Sequence, residues 1–118
     1  MAYYSKEQRA LCRRFGVTAQ LVSGGDMLGV SVGALRPEWP LHGVRTPPVG
    51  GTCGWYVWTG EIDKRDADFF APMHARHLFE KRPEVSAYLG LPPGWRFLIA
   101  PRYEDVWFDE SALNQPDD

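Results

Sequence analysis

Apolar side chains recur along this chain with two different periods, and the switch between them predicts where helix gives way to strand. Leu11 and Phe15 lie four residues apart, and Arg9, Arg13 and Arg14 gather where cations complement the end of a helix dipole. Ser5 and Gln8 have capping-box spacing and Gly16 can close the last turn, so a short amphipathic helix is predicted over residues 6–15. Residues 17–22 and 27–35 are two β-like runs about Ser23-Gly24-Gly25-Asp26, the pattern of a hairpin. In the second run Leu28, Val30 and Val32 alternate with Gly29, Ser31 and Gly33, which leaves one face nearly bare and open to close approach.

Pro37, Pro40, Pro47 and Pro48, with Gly43, Gly50 and Gly51, mark residues 36–54 as a connector expected to be neither helix nor central strand. Trp55-Tyr56-Val57-Trp58-Thr59, framed by Gly54 and Gly60, is rich in β-formers with aromatics at both parities; it predicts a strand near the sheet centre, covered on both faces. A charged loop over 61–68 precedes Phe69-Phe70. Pro72 suits a first helical turn, and Phe70, Met73, His74, His77 and Leu78 keep helical spacing until Pro83. A second short helix is expected over 84–89, a strand over 95–100 and a last strand over 106–108, before an acidic tail ending Pro116-Asp117-Asp118. The order predicts an α+β fold: a mostly antiparallel sheet with an N-terminal helix and a central helical pair. The 118 residues suit one domain, divided into helix and hairpin (1–35), connector (36–53), a main region (54–113) and the tail (114–118).

Sixteen aromatic residues exclude a disordered chain. The formal charge of −2 supplies no positive field for phosphate backbones, so nucleic acid is not an expected partner. No apolar run approaches the roughly 20 residues needed to span a bilayer, so neither is a membrane. Residues 1–15 are polar and basic, unlike a secretory leader, and Cys12 and Cys53 lack metal or redox spacing; a cytoplasmic protein with reduced thiols is expected. Charge is nonetheless uneven. Residues 1–45 carry six basic and three acidic side chains, whereas residues 101–118 carry Arg102 against six acids.

Candidate chemistry is sparse. His74 and His77 share a helical face at i, i+3, and His42, Cys53, Glu61 and Asp63 could add ligands by type, but their spacing matches no metal motif, and no metal or cofactor is expected. Cys53 beside a Gly-rich loop is the better thiol, with His74 or His77 as a notional base; nothing in the sequence fixes them together, and catalysis is not expected. The carboxylate runs read as solvated faces rather than as acids of raised pKa. Gly24-Gly25 and Gly50-Gly51 lack the Lys-Ser/Thr of a phosphate loop.

Gly54-Trp55-Tyr56-Val57-Trp58-Thr59-Gly60-Glu61, then Asp68-Phe69-Phe70, Pro83-Glu84-Val85 with Tyr88-Leu89, and Gly94-Trp95-Arg96-Phe97, resemble a bacterial immunity-protein family of polymorphic toxin systems, formerly a domain of unknown function. The resemblance covers about residues 43–113. It implies an α+β fold, no catalysis, and an antidote that binds a cognate toxin in the producing cell. Trp55, Gly60 and Glu61 match its pattern, Trp55 as a residue that holds the fold. A binder needs aromatic anchors and complementary charge. Trp39 in the connector, Glu61, Asp63, Asp66 and Asp68 in the charged loop, and Glu104, Asp105, Asp109 and Glu110 near the end are the expected partner-binding residues. The alternatives are a generic interaction domain of a bacterial assembly and, less in keeping with the residues, a small metal- or thiol-dependent hydrolase.

Overall fold

A computed structural model describes residues 4–48 and 50–114; the end of the acidic tail lies outside them. Six strands form one sheet in the order β4-β1-β3-β2-β5-β6. They are β1 (Met27–Val30), β2 (Leu41–Arg45), β3 (Trp55–Thr59), β4 (Ala71–His74), β5 (Trp95–Ala100) and β6 (Tyr103–Phe108). Every neighbouring pair is antiparallel except β1 and β3. Helix α1 (Ser5–Arg14), helix α2 (Ala75–Lys81) and a 3₁₀ run (Pro83–Gly90) pack over one face, which makes the α+β fold read from the sequence.

Side-chain alternation assigns the faces. Leu41, Gly43 and Arg45 of β2, Trp55 and Val57 of β3, and Phe97 and Ile99 of β5 point into the helical layer and are buried. There they meet Leu11, Cys12, Leu78, Val85 and Leu89 in a single apolar cluster. Arg45 crosses this layer bonded to backbone: its guanidinium donates to the carbonyls of Cys53 (3.0 Å), Gln20 (2.8 Å), Leu91 (2.9 Å) and Leu89 (3.3 Å). Trp55 Nε1–H donates to the same Leu89 carbonyl at 2.8 Å, so strand β3 and the 3₁₀ run are tied through one oxygen.

Several local expectations give way to tertiary demands. The capping box does not form: Gln8 is fully buried, and its amide bonds both the N–H (3.0 Å) and the C=O (3.1 Å) of Val22. That bonding holds residues 17–22 extended against α1 with Gln20 N–H on the Gly90 carbonyl, so they never enter a ladder and no hairpin forms. The turn at 23–26 serves α2 instead. Its Asp26 and Gly24 carbonyls accept the Ala75 and Arg76 N–H groups that a first helical turn leaves without partners.

The second run is a strand only to Val30, after which Val32–Leu35 coil into a 3₁₀ turn. The connector contains the central strand β2, because its prolines flank Leu41–Arg45 without interrupting it. Gly43 is buried there with Phe97 lying across it. Pro72 sits in edge strand β4, where its missing N–H need not break the sheet, and helix begins only at Ala75. The run from Pro83 is 3₁₀ rather than α, and β6 starts at Tyr103, three residues earlier than the apolar pattern indicates. Strand β3 is central as expected, but its second face is not covered by a layer. Trp58 there is 6% exposed because the His42 ring stacks on it at 5.1 Å and the Phe70 edge meets it at 5.9 Å.

Candidate functional site

The strand directions gather one end of the sheet from distant parts of the sequence. The last residues of β1 and β3 and the first residues of β2 and β4 all lie there. The 3₁₀ turn Val32–Leu35, the segment carrying Trp39 and the acidic loop 61–68 are therefore neighbours. Ser31, Val32, Gly33, Thr59, Asp66, Asp68 and Phe69 line a cleft of about 260 Å³ between turn and loop. Val32 is 61% exposed at its wall. Glu38 closes toward the same place, accepting a hydrogen bond from Thr59 Oγ1 at 3.3 Å.

Buried anchors hold this end. Arg82, 2% exposed, follows α2 and donates to the carbonyls of Ala34 (3.2 Å), Glu38 (3.0 Å) and Arg36, so one guanidinium clamps the whole 34–38 backbone. Its carbon lies 4.6 Å from the centre of the Trp39 ring, which stands on the clamp at 36% exposure. The acidic loop is folded by its own carboxylates. Asp63 accepts from Arg65 N–H at 3.0 Å, Asp66 from Asp68 N–H at 2.9 Å, and Phe69 N–H reaches the Asp66 carbonyl at 3.1 Å. Phe69 and Phe70 then meet edge to face at 4.9 Å and fasten the loop to Tyr56 and Trp58. Glu61, Asp63, Asp66 and Asp68 are exposed, opposed within the loop by Lys64 and Arg65.

The remaining acids lie elsewhere. Glu104 on β6 takes a 2.7 Å salt bridge from Arg14 and a hydrogen bond from Tyr88, joining β6 to α1 and the 3₁₀ run. Arg14, then Tyr88, hold its carboxyl below the usual carboxylate range, while burial and this bond raise the Tyr88 phenol. Asp109 stands at the opposite end of the sheet. It caps the 3₁₀ turn Glu110–Leu113 by accepting from Ser111 N–H (3.0 Å) and Oγ (2.6 Å), and it pairs with Arg96 at 3.0 Å. Asp105 and Glu110 are exposed. Trp39 and the 61–68 acids thus share one end, Glu104 and Asp105 flank it on the edge strand, and Asp109 and Glu110 are remote.

Thiol and imidazole chemistry finds no assembled site. Burial raises the Cys53 thiol, the reverse of what a nucleophile needs. Cys53 N–H bonds the Met27 carbonyl while His74 pairs with Met27 from the other side, so the two backbones lie on opposite sides of β1, about two strand spacings apart. The His74 and His77 rings lie 6.4 Å apart. Among the described residues no three His, Cys, Asp or Glu side chains converge to hold a metal ion.

Sequence reasoning passes over Val32, Glu38 and Arg82. Val32 carried a signal, an apolar residue continuing an alternation just where the strand stops; Glu38 and Arg82 carried none, because their roles come from contacts over 21 and more than 40 residues. It also missed the helix-free sheet face, where Trp58, His42, Tyr56 and Phe70 cluster and the Arg96 guanidinium lies 5.7 Å from the Trp107 ring. No helix among the described residues is long and apolar enough to cross a membrane. In comparisons with known proteins, the family model of the Imm33-like domain matches residues 7–109, taking in β1 and all but the first two residues of α1, which the resemblance over 43–113 leaves out. No curated protein and no solved structure matches the chain.

Proposed function

The chain belongs to the Imm33-like domain family, an immunity-type domain, and on that premise we propose that it binds and neutralises a cognate bacterial toxin in the cytoplasm of the producing cell, by occlusion rather than catalysis. The observation that carries this reading is the end of the sheet at the Val32 cleft. Glu38 and Trp39 are presented there beside the exposed Val32 on a segment clamped by the buried Arg82, and Asp66 and Asp68 face them from the 61–68 loop. Such preorganisation lowers the entropy lost on association, and an aromatic anchor within a charged rim is the composition of a binding hot spot.

The charge at this end suits a basic face on the toxin. A toxin whose groove accepts a polyanion has that face, and the 61–68 loop would then occupy the groove in place of the substrate. Glu61, Asp63, Asp66 and Asp68 steer the approach, Trp39 and Val32 supply the buried contact, and Asp105 extends the acidic flank. Glu104 and Asp109 act mainly within the fold, through Arg14 and Tyr88 and through Arg96 and Ser111.

Co-expression with the toxin encoded beside this gene tests the proposal. Wild type should restore growth and co-purify with the toxin. A chain with Glu61→Lys and Asp68→Lys, whose side chains do not hold the loop, should melt like wild type and lose protection; absence of both rescue and binding by the wild type would sink the reading.

A further inference from the structure

Strand β6 ends the sheet. All six of its residues pair with β5 in unbroken one-to-one register, and among the described residues no strand lies on its other side. Asp109 N–H donates to the Gly94 carbonyl at 2.7 Å, which sets the phase of the ladder. Alternation from that pair turns the N–H and C=O groups of Glu104, Val106 and Phe108 away from β5, to the side where no strand of the described residues pairs with them.

The two edges of the sheet are finished differently. Strand β4 is four residues long, contains Pro72 and runs directly into α2, the usual means of blunting an edge. Strand β6 has neither proline nor lysine nor bulge. Its ends carry Tyr103 (53% exposed) and Phe108 (49% exposed), so a strand laid beside it would cover apolar surface at both ends while completing the ladder.

Charge selects the occupant. On the helix-free face Asp105 stands exposed between Tyr103 and Trp107; of the acids over residues 102–110, Glu104 is paired with Arg14 and Asp109 with Arg96, which leaves Asp105 and Glu110 exposed. Two copies of this chain paired edge to edge would put both exposed Asp105 carboxylates on one face of strands about 4.8 Å apart, with no cation in β6 between them, which like-charge repulsion opposes. A lysine or arginine on an added strand meets Asp105 and the exposed Tyr103 ring beside it. We infer that the free edge of β6 is a strand-addition site for an extended basic segment of a partner protein, whose backbone joins Glu104, Val106 and Phe108 and whose cations meet Asp105. The inference rests on the reading of this chain as a protein binder and gives the toxin a second point of attachment.

The test uses a synthetic six-residue peptide of alternating valine and lysine, titrated into the ¹⁵N-labelled chain, and needs no toxin. Amide shifts should centre on Glu104, Val106 and Phe108 and weaken with added salt. Alternate N-methylation of the peptide on its pairing edge should reduce affinity by about tenfold or more, since it removes hydrogen bonds but no charge. A glutamate version should not bind. Val106→Pro removes an outward N–H and should abolish the shifts while leaving the β5 ladder; the methylated peptide decides the matter if that variant does not fold. Shifts centred away from β6, equal binding of the methylated peptide, or self-association through β6 would overturn the inference. Growth rescue by the wild type tests the immunity reading separately, and rescue by a folded Val106→Pro chain would remove the edge as the toxin's seat.

Discussion

Gly43→Ala tests how the central strands are packed. An ideal Cβ at position 43 would lie 2.2 Å from Phe97 Cε2 and 2.3 Å from Cζ. Carbon atoms settle at about 3.5–4.0 Å, so the ring would have to retreat by more than an ångström. Phe97 is 1% exposed and wedged against Trp55 (5.4 Å between ring centres) and Tyr88 (5.3 Å), so the displacement passes into neighbours that are themselves packed. Overpacking of this kind costs about 1–3 kcal/mol, offset by the roughly 0.5–1 kcal/mol that alanine recovers over glycine in a strand. The overlap is deep, so a net loss of about 2 kcal/mol is expected, a large share of a total of about 5–15 kcal/mol. Urea denaturation followed by tryptophan fluorescence should show a lower midpoint with an unchanged slope. Phe97→Leu alone should lose about 1–2 kcal/mol, yet combined with Gly43→Ala should lose at least about 1 kcal/mol less than the sum, because the smaller side chain vacates the space the methyl needs. A Gly43→Ala chain as stable as wild type, or strictly additive costs, would refute this account of the packing.

Arg45→Met should destabilise by about 3 kcal/mol or more, since it leaves the Gln20, Leu91 and Cys53 carbonyls without the guanidinium while Leu89 keeps Trp55; an unchanged melting temperature would contradict that role. Burial, then the Arg96 cation, lowers the His42 pKa below its usual 6.5, so stability is whole above about pH 6.5 and falls as pH drops toward and through the folded value. His42→Phe should flatten that slope in pH-dependent melts just below about pH 6.5, a window above the one in which Glu104, held low by Arg14 and Tyr88, would titrate. Trp55→Ala should cost about 3–5 kcal/mol as a core truncation, and Trp58→Ala less, because Trp58 is buried outside the main core by His42 and Phe70. Equal losses in denaturation midpoints would mean the second sheet face is packed as firmly as the first.

The helix at α1, the strands at Trp55–Thr59 and Trp95–Ala100, the α+β class and the exposed acidic loop were legible because each rests on interactions within a few residues. Helical spacing, β-forming side chains and a run of charges act locally, and tertiary contacts agree with them. The family resemblance was legible on the same strands, and the Imm33-like match extends it to residue 7.

What the sequence could not contain was the pairing of distant groups. Gln8 looks like a cap until Val22 arrives with both backbone groups to satisfy, and a buried amide with two bonds outweighs one exposed cap. Gly43 looks like a loop residue until Phe97 lies across it, and Leu41–Arg45 becomes a central strand only because β3 and β5 offer partners on both sides. Local chemistry determined which segments are helix-like, strand-like or solvated, together with where acids and tryptophans stand. Tertiary structure alone decided which of them meet: strand order carried Trp39 and the 61–68 acids to one end and sent Asp109 to the other. Register and topology are set by the burial of whole faces, a property of the assembled sheet and not of any short stretch of chain.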